Sequence, residues 1–219
     1  MTETTSTETA STQTIKPWIG RGPIIPVIVI EDADTAVPLA RALVAGGLSA
    51  LEVTLRTPAA PAAIEAIATH VPEASVGAGT LRLPSDARLA KDAGATWAVS
   101  PGYTRDLGQA CGDADLPLLP GVATASELMT GYADGIRFFK FFPAVVAGGV
   151  PALRALGGPF PDVRFCPTGG ITEASAPDFL ALPNVPVCGG TWLTPADLIA
   201  AGDWDAITEL ARRAAALGR

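Results

Sequence analysis

Lys140 stands in a stretch of sequence where apolar surroundings could turn its amine into a nucleophile. Two phenylalanines flank it on each side, and it is one of only three lysines in the chain. Desolvation disfavours the charged form of an amine, and a neutral lysine amine can attack a carbonyl carbon to form an imine. Lys140 is therefore a candidate Schiff-base nucleophile. The alternatives are an amine that reaches solvent along its aliphatic stem, or one half of a structural ion pair.

A second candidate group is the carboxylate of Glu52. The apolar residues between Leu51 and Arg56 alternate with Glu52, Thr54 and Arg56, which therefore share one face of a predicted strand. Beside an imine-forming lysine this carboxylate could shuttle protons, and otherwise it could pair with Arg56 or Lys140 in a salt bridge. Lys140 lies in another predicted strand, on the face that also carries Phe138 and Phe142. If the Glu52 face and the Lys140 face both point into a closed barrel, a carboxylate, a guanidinium and an amine meet inside an apolar interior. Such burial is costly enough to require a functional reason.

Two glycine pairs near the end of the sequence are candidates for binding an anion through backbone N–H groups. Gly169-Gly170 follows a predicted strand that ends at Cys166, and Gly189-Gly190 precedes Thr191. The loops after the last two strands of parallel barrels often hold a phosphate. The location therefore predicts a phosphate site, although ordinary turns would use the same dipeptides.

Several common catalytic systems are missing from the sequence. His70 is the only histidine, which excludes a histidine-based triad and a multi-histidine metal site. The segment Gly77-Ala78-Gly79 does not complete a dinucleotide-binding fingerprint because Arg82 occupies the last position, and no Gly-Lys pair provides a Walker loop. The odd number of cysteines and the lack of a CxxC motif argue against a disulfide framework, and we expect Cys166 and Cys188 to be buried thiols.

Composition and charge are typical of a globular domain. The chain has 219 residues, of which 48% are hydrophobic and 17% are charged. No apolar run approaches the roughly 20 residues of a membrane helix, and the N-terminus lacks the blocks of a secretory signal. A net charge of −7 argues against a nucleic-acid partner. We expect one cytoplasmic domain over residues 15–219, after a disordered Thr/Ser/Glu tail over residues 1–14.

Short β-rich segments alternate with Ala/Leu-rich segments of helical periodicity from Pro23 onward. Eight such units predict an α/β protein with a parallel sheet, either doubly wound or closed, and the number favours a (β/α)8 TIM barrel. The predicted strands are 24–30, 48–55, 75–78, 97–100, 117–119, 136–142, 163–166 and 185–188. The predicted helices are roughly 33–45, 59–69, 85–93, 104–111, 124–132, 149–156, 174–181 and 195–200, with a C-terminal helix over about 204–217.

The chain resembles the class I 2-keto-3-deoxy-6-phosphogluconate (KDPG) aldolases, which also act as 4-hydroxy-2-oxoglutarate (KHG) aldolases. Two segments carry most of the resemblance, Leu51-Glu52-Val53-Thr54-Leu55-Arg56-Thr57 and Phe139-Lys140-Phe141-Phe142-Pro143-Ala144. Shorter matching segments run in order along the chain: Pro26-Val27-Ile28, Gly77-Ala78-Gly79-Thr80, Ser100-Pro101-Gly102, Pro120-Gly121, Cys166-Pro167-Thr168-Gly169-Gly170-Ile171 and Gly189-Gly190-Thr191-Trp192-Leu193. The resemblance implies a (β/α)8 barrel, usually a homotrimer, that needs neither a metal nor an organic cofactor.

The resemblance also implies a role for each matching residue. Lys140 matches the imine-forming lysine, and Glu52 matches the carboxylate that shuttles protons. The implied pyruvate pocket consists of Arg56 and Thr80, which hold the keto-acid carboxylate, and of Pro101 and Phe142, which shape the pocket. The implied phosphate-binding residues are Thr168, Gly169, Gly170 and Thr191. The implied reaction is the reversible cleavage of KDPG to pyruvate and glyceraldehyde 3-phosphate in Entner–Doudoroff-type catabolism of sugar acids.

Three positions depart from the family pattern: Thr191 keeps the hydroxyl but adds a methyl group that bears on the preference for the distal part of the substrate, whereas Val145 and Ala123 leave the imine chemistry untouched. Thr191 stands where serine is common, Val145 where an acidic residue often follows Pro-Ala, and Ala123 where a hydroxylated residue is common. The alternative substrates are KHG and the galactonate epimer of KDPG. The alternative classes are a phosphate-binding barrel isomerase or synthase, which would use Glu52 as a base without an imine, and a non-enzymatic ligand-binding barrel.

Overall fold

Strands and helices alternate along residues 21–217, the part of the chain that the computed structural model describes. The strands are β1 (Ile24–Ile28), β2 (Ala50–Thr54), β3 (Ser75–Gly79), β4 (Ala98–Val99), β5 (Leu118–Leu119), β6 (Gly121–Val122), β7 (Phe138–Phe141), β8 (Arg164–Pro167) and β9 (Cys188–Gly190). The helices are α1 (Ala36–Ala45), α2 (Ala60–His70), α3 (Pro84–Asp92), α4 (Arg105–Asp113), α5 (Ala125–Ala133), α6 (Gly149–Leu156), α7 (Ala176–Leu180), α8 (Ala196–Ala201) and α9 (Trp204–Ala215). The predicted tail over residues 1–14 lies outside the described residues.

The parallel strands close into a barrel. Six strands pair in the order β5-β4-β3-β2-β1-β9, and three pair in the order β6-β7-β8. Pro120 separates β5 from β6, which together fill one strand position, and its carbonyl still accepts a hydrogen bond from Lys140 N at 2.9 Å. A bridge between Thr168 and Gly189 joins the end of β8 to β9. These contacts leave eight strand positions, and the predicted (β/α)8 barrel is confirmed.

Apolar side chains form a separate core on each face of the sheet. The larger core lies between the strands and the helices. The smaller core fills the barrel interior and consists of Ile25, Ala50, Trp97, Val99, Leu119, Phe138, Cys166 and Val187. Because both faces of a parallel sheet are covered, a polar side chain on an inward position is removed from water.

The last strand differs from the sequence prediction. The predicted segment 185–188 gives way to Cys188–Gly190, so Gly189 and Gly190 belong to a strand and do not follow one. Pairing with β1 explains this placement, since Ile25 and Pro26 are the register partners of Gly189 and Gly190. A Cβ atom on Gly189 would lie 2.3 Å from Thr168 Oγ1, and one on Gly190 would lie 2.1 Å from the Trp192 ring, so both positions require glycine.

Local signals place the helices well. A capping box begins α5, since Thr124 Oγ1 accepts a hydrogen bond from Glu127 N and the Glu127 carboxylate accepts one from Thr124 N. The predicted first helix begins later than expected, because Ala33–Thr35 forms a 3-10 turn before α1. None of the helices within residues 21–217 combines the length and the apolar character that crossing a membrane requires.

Candidate active site

Lys140 and Glu52 meet inside the barrel. Lys140 lies on β7 and Glu52 on β2, and the amine Nζ donates a hydrogen bond to Glu52 Oε1 at 3.1 Å. Each side chain has only 4% of its surface exposed. A buried ion pair is stable only when the two charges are held close together, because their mutual attraction must offset the lost hydration. The arrangement thus places an amine and a carboxylate in direct contact, away from bulk water.

The phenylalanines around Lys140 fix its strand on both faces. Phe139 and Phe141 are fully buried in the outer core, whereas Phe138 lies in the barrel interior. The ring centroid of half-buried Phe142 lies 5.4 Å from Lys140 Nζ, within the range of a cation–π contact. The amine therefore has the Phe142 ring beside it and faces the Glu52 carboxylate across the barrel.

Cys166 lies beside Lys140 and Glu52. The sequence predicts that this thiol is buried but does not predict that it lies next to these two residues. On β8 its Cα is the register partner of Lys140, and its side chain belongs to the interior core. Burial raises the pKa of Cys166 to about 12, an effect that the charge of Lys140 opposes and that of Glu52 reinforces. The thiol is thus protonated at neutral pH and is a poor nucleophile. Cys166 stands two residues before Thr168, a predicted site residue, so the alternation of side chains along a strand indicates that both lie on one face.

Arg56 and Thr80 form a second pair at the carboxyl end of the strands. Arg56 Nε donates a hydrogen bond to Thr80 Oγ1 at 3.0 Å, and Thr80 has a left-handed φ of 65°. Contrary to expectation, Arg56 is exposed and does not meet Glu52 and Lys140 in the interior. The strand ends at Thr54, where Arg56 N bonds to the Thr54 carbonyl at 2.8 Å and turns the chain outward. Within residues 21–217, no hydrogen bond or ion pair joins this pair to Lys140 and Glu52.

Pro101 and Phe142 also lie where strands end. Pro101 is half-buried after β4, and its carbonyl oxygen lies 2.3 Å from where a Cβ atom on Gly121 would stand. Phe142 follows β7, and its ring lies 3.3 Å from the Cβ position of Gly169. Phe142 therefore lies between the Lys140 amine and the first of the two glycine pairs.

The four predicted phosphate-binding residues lie on two neighbouring strand ends. Thr168 is buried at the end of β8, and the turn that follows has φ values of 102° at Gly169 and 78° at Gly170. Only glycine adopts such angles readily. The bridge from Thr168 to β9 brings this turn near Thr191, which is exposed just after β9. The glycine turn and the Thr191 hydroxyl thus lie at one edge of the barrel, whereas the buried Thr168 Oγ1 donates a hydrogen bond to the Cys166 carbonyl at 3.5 Å.

Val145, one of the departures from the family pattern, packs on this glycine turn. Its backbone N–H donates to the Gly169 carbonyl at 3.1 Å, and its Cβ lies 3.0 Å from the Cβ position of Gly170. The side chain is 47% exposed. An apolar surface therefore borders the glycine turn.

Within residues 21–217, no group of three or more His, Cys, Asp or Glu side chains is arranged to hold a metal ion. The amine and the carboxylate at the centre of the barrel suit imine formation coupled to proton transfer.

Known proteins are similar to this chain in both sequence and fold. Residues 15–210 match the family described as KDPG and KHG aldolase. The chain is 54% identical to 2-dehydro-3-deoxy-phosphogluconate aldolase of Pseudoalteromonas atlantica, over 90% of this chain and 91% of the relative. It is 55% identical to KHG/KDPG aldolase of Escherichia coli K12, over 88% of this chain and 91% of the relative.

Solved structures give the same result. The KDPG aldolase of Legionella pneumophila, with pyruvate captured at low pH as a covalent carbinolamine intermediate, has a TM-score of 0.88 and 47% identity, and the match covers 90% of this chain and 96% of that one. The KDPG aldolase of Zymomonas mobilis ZM4 with 3-phosphoglycerate has a TM-score of 0.89 and 47% identity, and the match covers 94% of this chain and 97% of that one.

Proposed function

The chain belongs to the KDPG and KHG aldolase family and is a class I carbon–carbon lyase, and from that premise we propose that Lys140 and Glu52 carry out its chemistry. The reaction is the reversible cleavage of KDPG to pyruvate and glyceraldehyde 3-phosphate. The observation that supports these two roles is the buried contact of 3.1 Å between Lys140 Nζ and Glu52 Oε1.

Imine formation begins with a proton transfer along that contact. Lys140 Nζ gives a proton to Glu52 Oε1, and its freed lone pair attacks C2 of the keto acid. The electron pair of the C2 carbonyl moves to its oxygen, which takes the proton back from Glu52 and becomes the carbinolamine hydroxyl. The attacking nitrogen then gives a second proton to Glu52, which delivers it to this hydroxyl, so that water leaves and a protonated imine remains.

Cleavage of the carbon–carbon bond uses the imine as the electron sink. The C4 hydroxyl loses its proton to the Glu52 carboxylate, C4 becomes the aldehyde carbon, and the C3–C4 bonding pair moves into the imine to form an enamine. Glu52 then returns the proton to C3, and hydrolysis of the resulting imine frees pyruvate and Lys140. One carboxylate in contact with the amine is enough for each of these transfers.

Arg56 and Thr80 are proposed to hold the carboxylate of the keto acid. Thr80 Oγ1 accepts the hydrogen bond of Arg56 Nε, which leaves the two terminal nitrogens of the guanidinium for the substrate. A guanidinium can bind a carboxylate in a bidentate manner, which fixes its orientation as well as its position. Pro101 and Phe142 would form the apolar walls around the pyruvyl carbons.

The distal end of the substrate is proposed to lie at Thr168, Gly169, Gly170 and Thr191. Backbone N–H groups and two hydroxyls suit a phosphate dianion. KHG is the second candidate substrate, because the relative from Escherichia coli is named a KHG/KDPG aldolase. The galactonate epimer differs from KDPG in configuration at C4, and comparing kcat/KM for the three substrates distinguishes these candidates.

We further propose that the enzyme needs no metal or organic cofactor, since an imine supplies the electron sink. The resemblance supports a homotrimer, with residues 15–219 as its single domain. Three free cysteines suit a reducing compartment, which supports the cytoplasm as its location.

Borohydride trapping with pyruvate in EDTA, followed by intact mass and peptide mapping, tests this proposal. We expect one pyruvyl adduct, on the peptide that contains Lys140. Lys91→Arg is the matched control and keeps the adduct, whereas Lys140→Arg loses it. An intact protein that binds pyruvate but gives no adduct would overturn the imine mechanism in favour of a non-covalent barrel enzyme.

A further inference from the structure

Gly79, the last residue of β3, has no room for a side chain. A Cβ atom placed on it would lie 2.3 Å from Glu52 Oε1, 2.6 Å from Glu52 Cγ and 2.8 Å from Glu52 Cδ. Unbonded carbon and oxygen atoms do not approach so closely, because optimal contacts between heavy atoms lie near 3.5–4.0 Å. Even an alanine at this position is therefore incompatible with the observed orientation of the Glu52 side chain.

The backbone itself gives no reason for glycine at position 79. Its φ lies outside the left-handed region, unlike that of Gly169 or Gly170, so an alanine could adopt the same backbone. Glycine within a strand carries an entropic cost and offers no side chain for packing. The requirement for glycine here thus comes from the space that the Glu52 carboxylate occupies.

The strand register shows why the carboxylate needs that space. Glu52 is paired with Gly77, whereas Gly79, which the Glu52 side chain contacts, is paired with Thr54. The Glu52 side chain is therefore tilted by two residues toward the carboxyl end of the strands. The space above Gly77 is already filled, since a Cβ atom there would lie 2.3 Å from the Trp97 ring. The carboxylate therefore lies between the Trp97 ring and the Gly79 backbone, in the space that a side chain at position 79 would fill, and it faces Lys140.

We propose that Gly79 is a positioning residue whose missing side chain lets Glu52 Oε1 reach Lys140 Nζ. This inference rests on the roles proposed above for Lys140 and Glu52. A methyl group at position 79 displaces the carboxylate from the amine, and proton transfer to and from the enamine slows. The amine itself stays in place, so the imine still forms at equilibrium.

The test compares Gly79→Ala with Gly112→Ala, a matched control on α4 at which a Cβ atom would have no neighbour within 4 Å. We expect Gly79→Ala to lower kcat for KDPG cleavage by about 10²-fold, the usual cost of an ångström-scale misplacement. The exchange of pyruvate methyl protons in D2O, measured by NMR, should fall in parallel. The final extent of borohydride trapping at Lys140 and the KM should change little, and Gly112→Ala should match the wild type.

A second background separates positioning from a general effect on the fold. Glu52→Asp shortens the side chain by one carbon, so the methyl group at position 79 has less to displace. We expect Gly79→Ala to lower methyl exchange by no more than about 3-fold in this background, a strong coupling between the two positions. An equal loss in both backgrounds would show that Gly79 acts through the fold and would overturn the inference.

Folding and the proposed function have their own readouts. If Gly79→Ala alone is unfolded, the inference requires Glu52→Ala to restore folding of the double variant, and continued unfolding contradicts it. If wild-type protein gives no adduct at Lys140, the proposed function fails. If the wild type gives both adduct and exchange while folded Gly79→Ala is unchanged, only the inference about Gly79 fails.

Discussion

Nζ of Lys140 and Oε1 of Glu52 lie 3.1 Å apart although 88 residues separate them in the sequence. The contact spans the barrel from β2 to β7, so neither strand forms it without the closed sheet. Because both groups are buried, a neutral substitution of either one leaves its partner without its charge complement. Substitutions of Lys140 or Glu52 therefore affect both catalysis and the stability of the barrel interior.

Replacing Lys140 by arginine separates charge from nucleophilicity. The guanidinium keeps a positive charge beside Glu52 but cannot form an imine with a keto acid. We expect KDPG cleavage to fall to the background rate, measured by coupled detection of pyruvate. Cleavage above about a tenth of the wild-type rate in a folded Lys140→Arg variant would rule out Lys140 as the nucleophile.

Replacing Glu52 by glutamine keeps the shape of the side chain and removes its ability to carry a proton. We expect kcat to fall by roughly 10²–10⁴-fold, the usual contribution of general acid–base catalysis. The exposed Glu65 on α2 provides the control substitution Glu65→Gln. A Glu52→Gln variant with a normal rate would assign the proton transfers to another group.

Thr191→Val tests the proposed phosphate end of the site. The substitution removes the hydroxyl and retains the branched shape, so one hydrogen bond to a charged group is lost. We expect kcat/KM for KDPG to fall by roughly 10-fold, and that for KHG, which has no phosphate, to stay unchanged. Equal changes for both substrates would place Thr191 away from the phosphate.

The three cysteines should resist alkylation in the folded protein. Burial raises the pKa of Cys111 to about 11 and that of Cys166 to about 12, and it also raises the pKa of Cys188. Very little reactive thiolate is present at pH 8, and each thiol is shielded from solvent. We expect iodoacetamide to add no label under native conditions and three labels in denaturant, as read from the intact mass. Native labelling of Cys166 would show that the barrel interior opens.

Alternation and periodicity in the sequence favour the barrel and place Lys140 and Glu52 each on the polar face of a strand, but they leave open whether those faces point inward. They fail at Arg56 because the alternation continues past Thr54, where a tight turn ends the strand. They fail at Gly189 because its strand position depends on pairing with Ile25 of β1, which is distant in the sequence. Local patterns carry no information about such packing across strands, and for the same reason they do not reveal the contact between Gly79 and Glu52.

The pairing of β1 with β9 makes the active site a property of the finished chain. Ile24, at the start of the first strand, has Cys188 as its register partner, and Thr208 Oγ1 on α9 donates to the Ala42 carbonyl at 3.1 Å. During synthesis, the edge of β1 that pairs with β9 therefore has no partner until β9 has left the ribosome. A nascent chain that stops before Cys188 already contains both Lys140 and Glu52, but it has no closed barrel to hold them together.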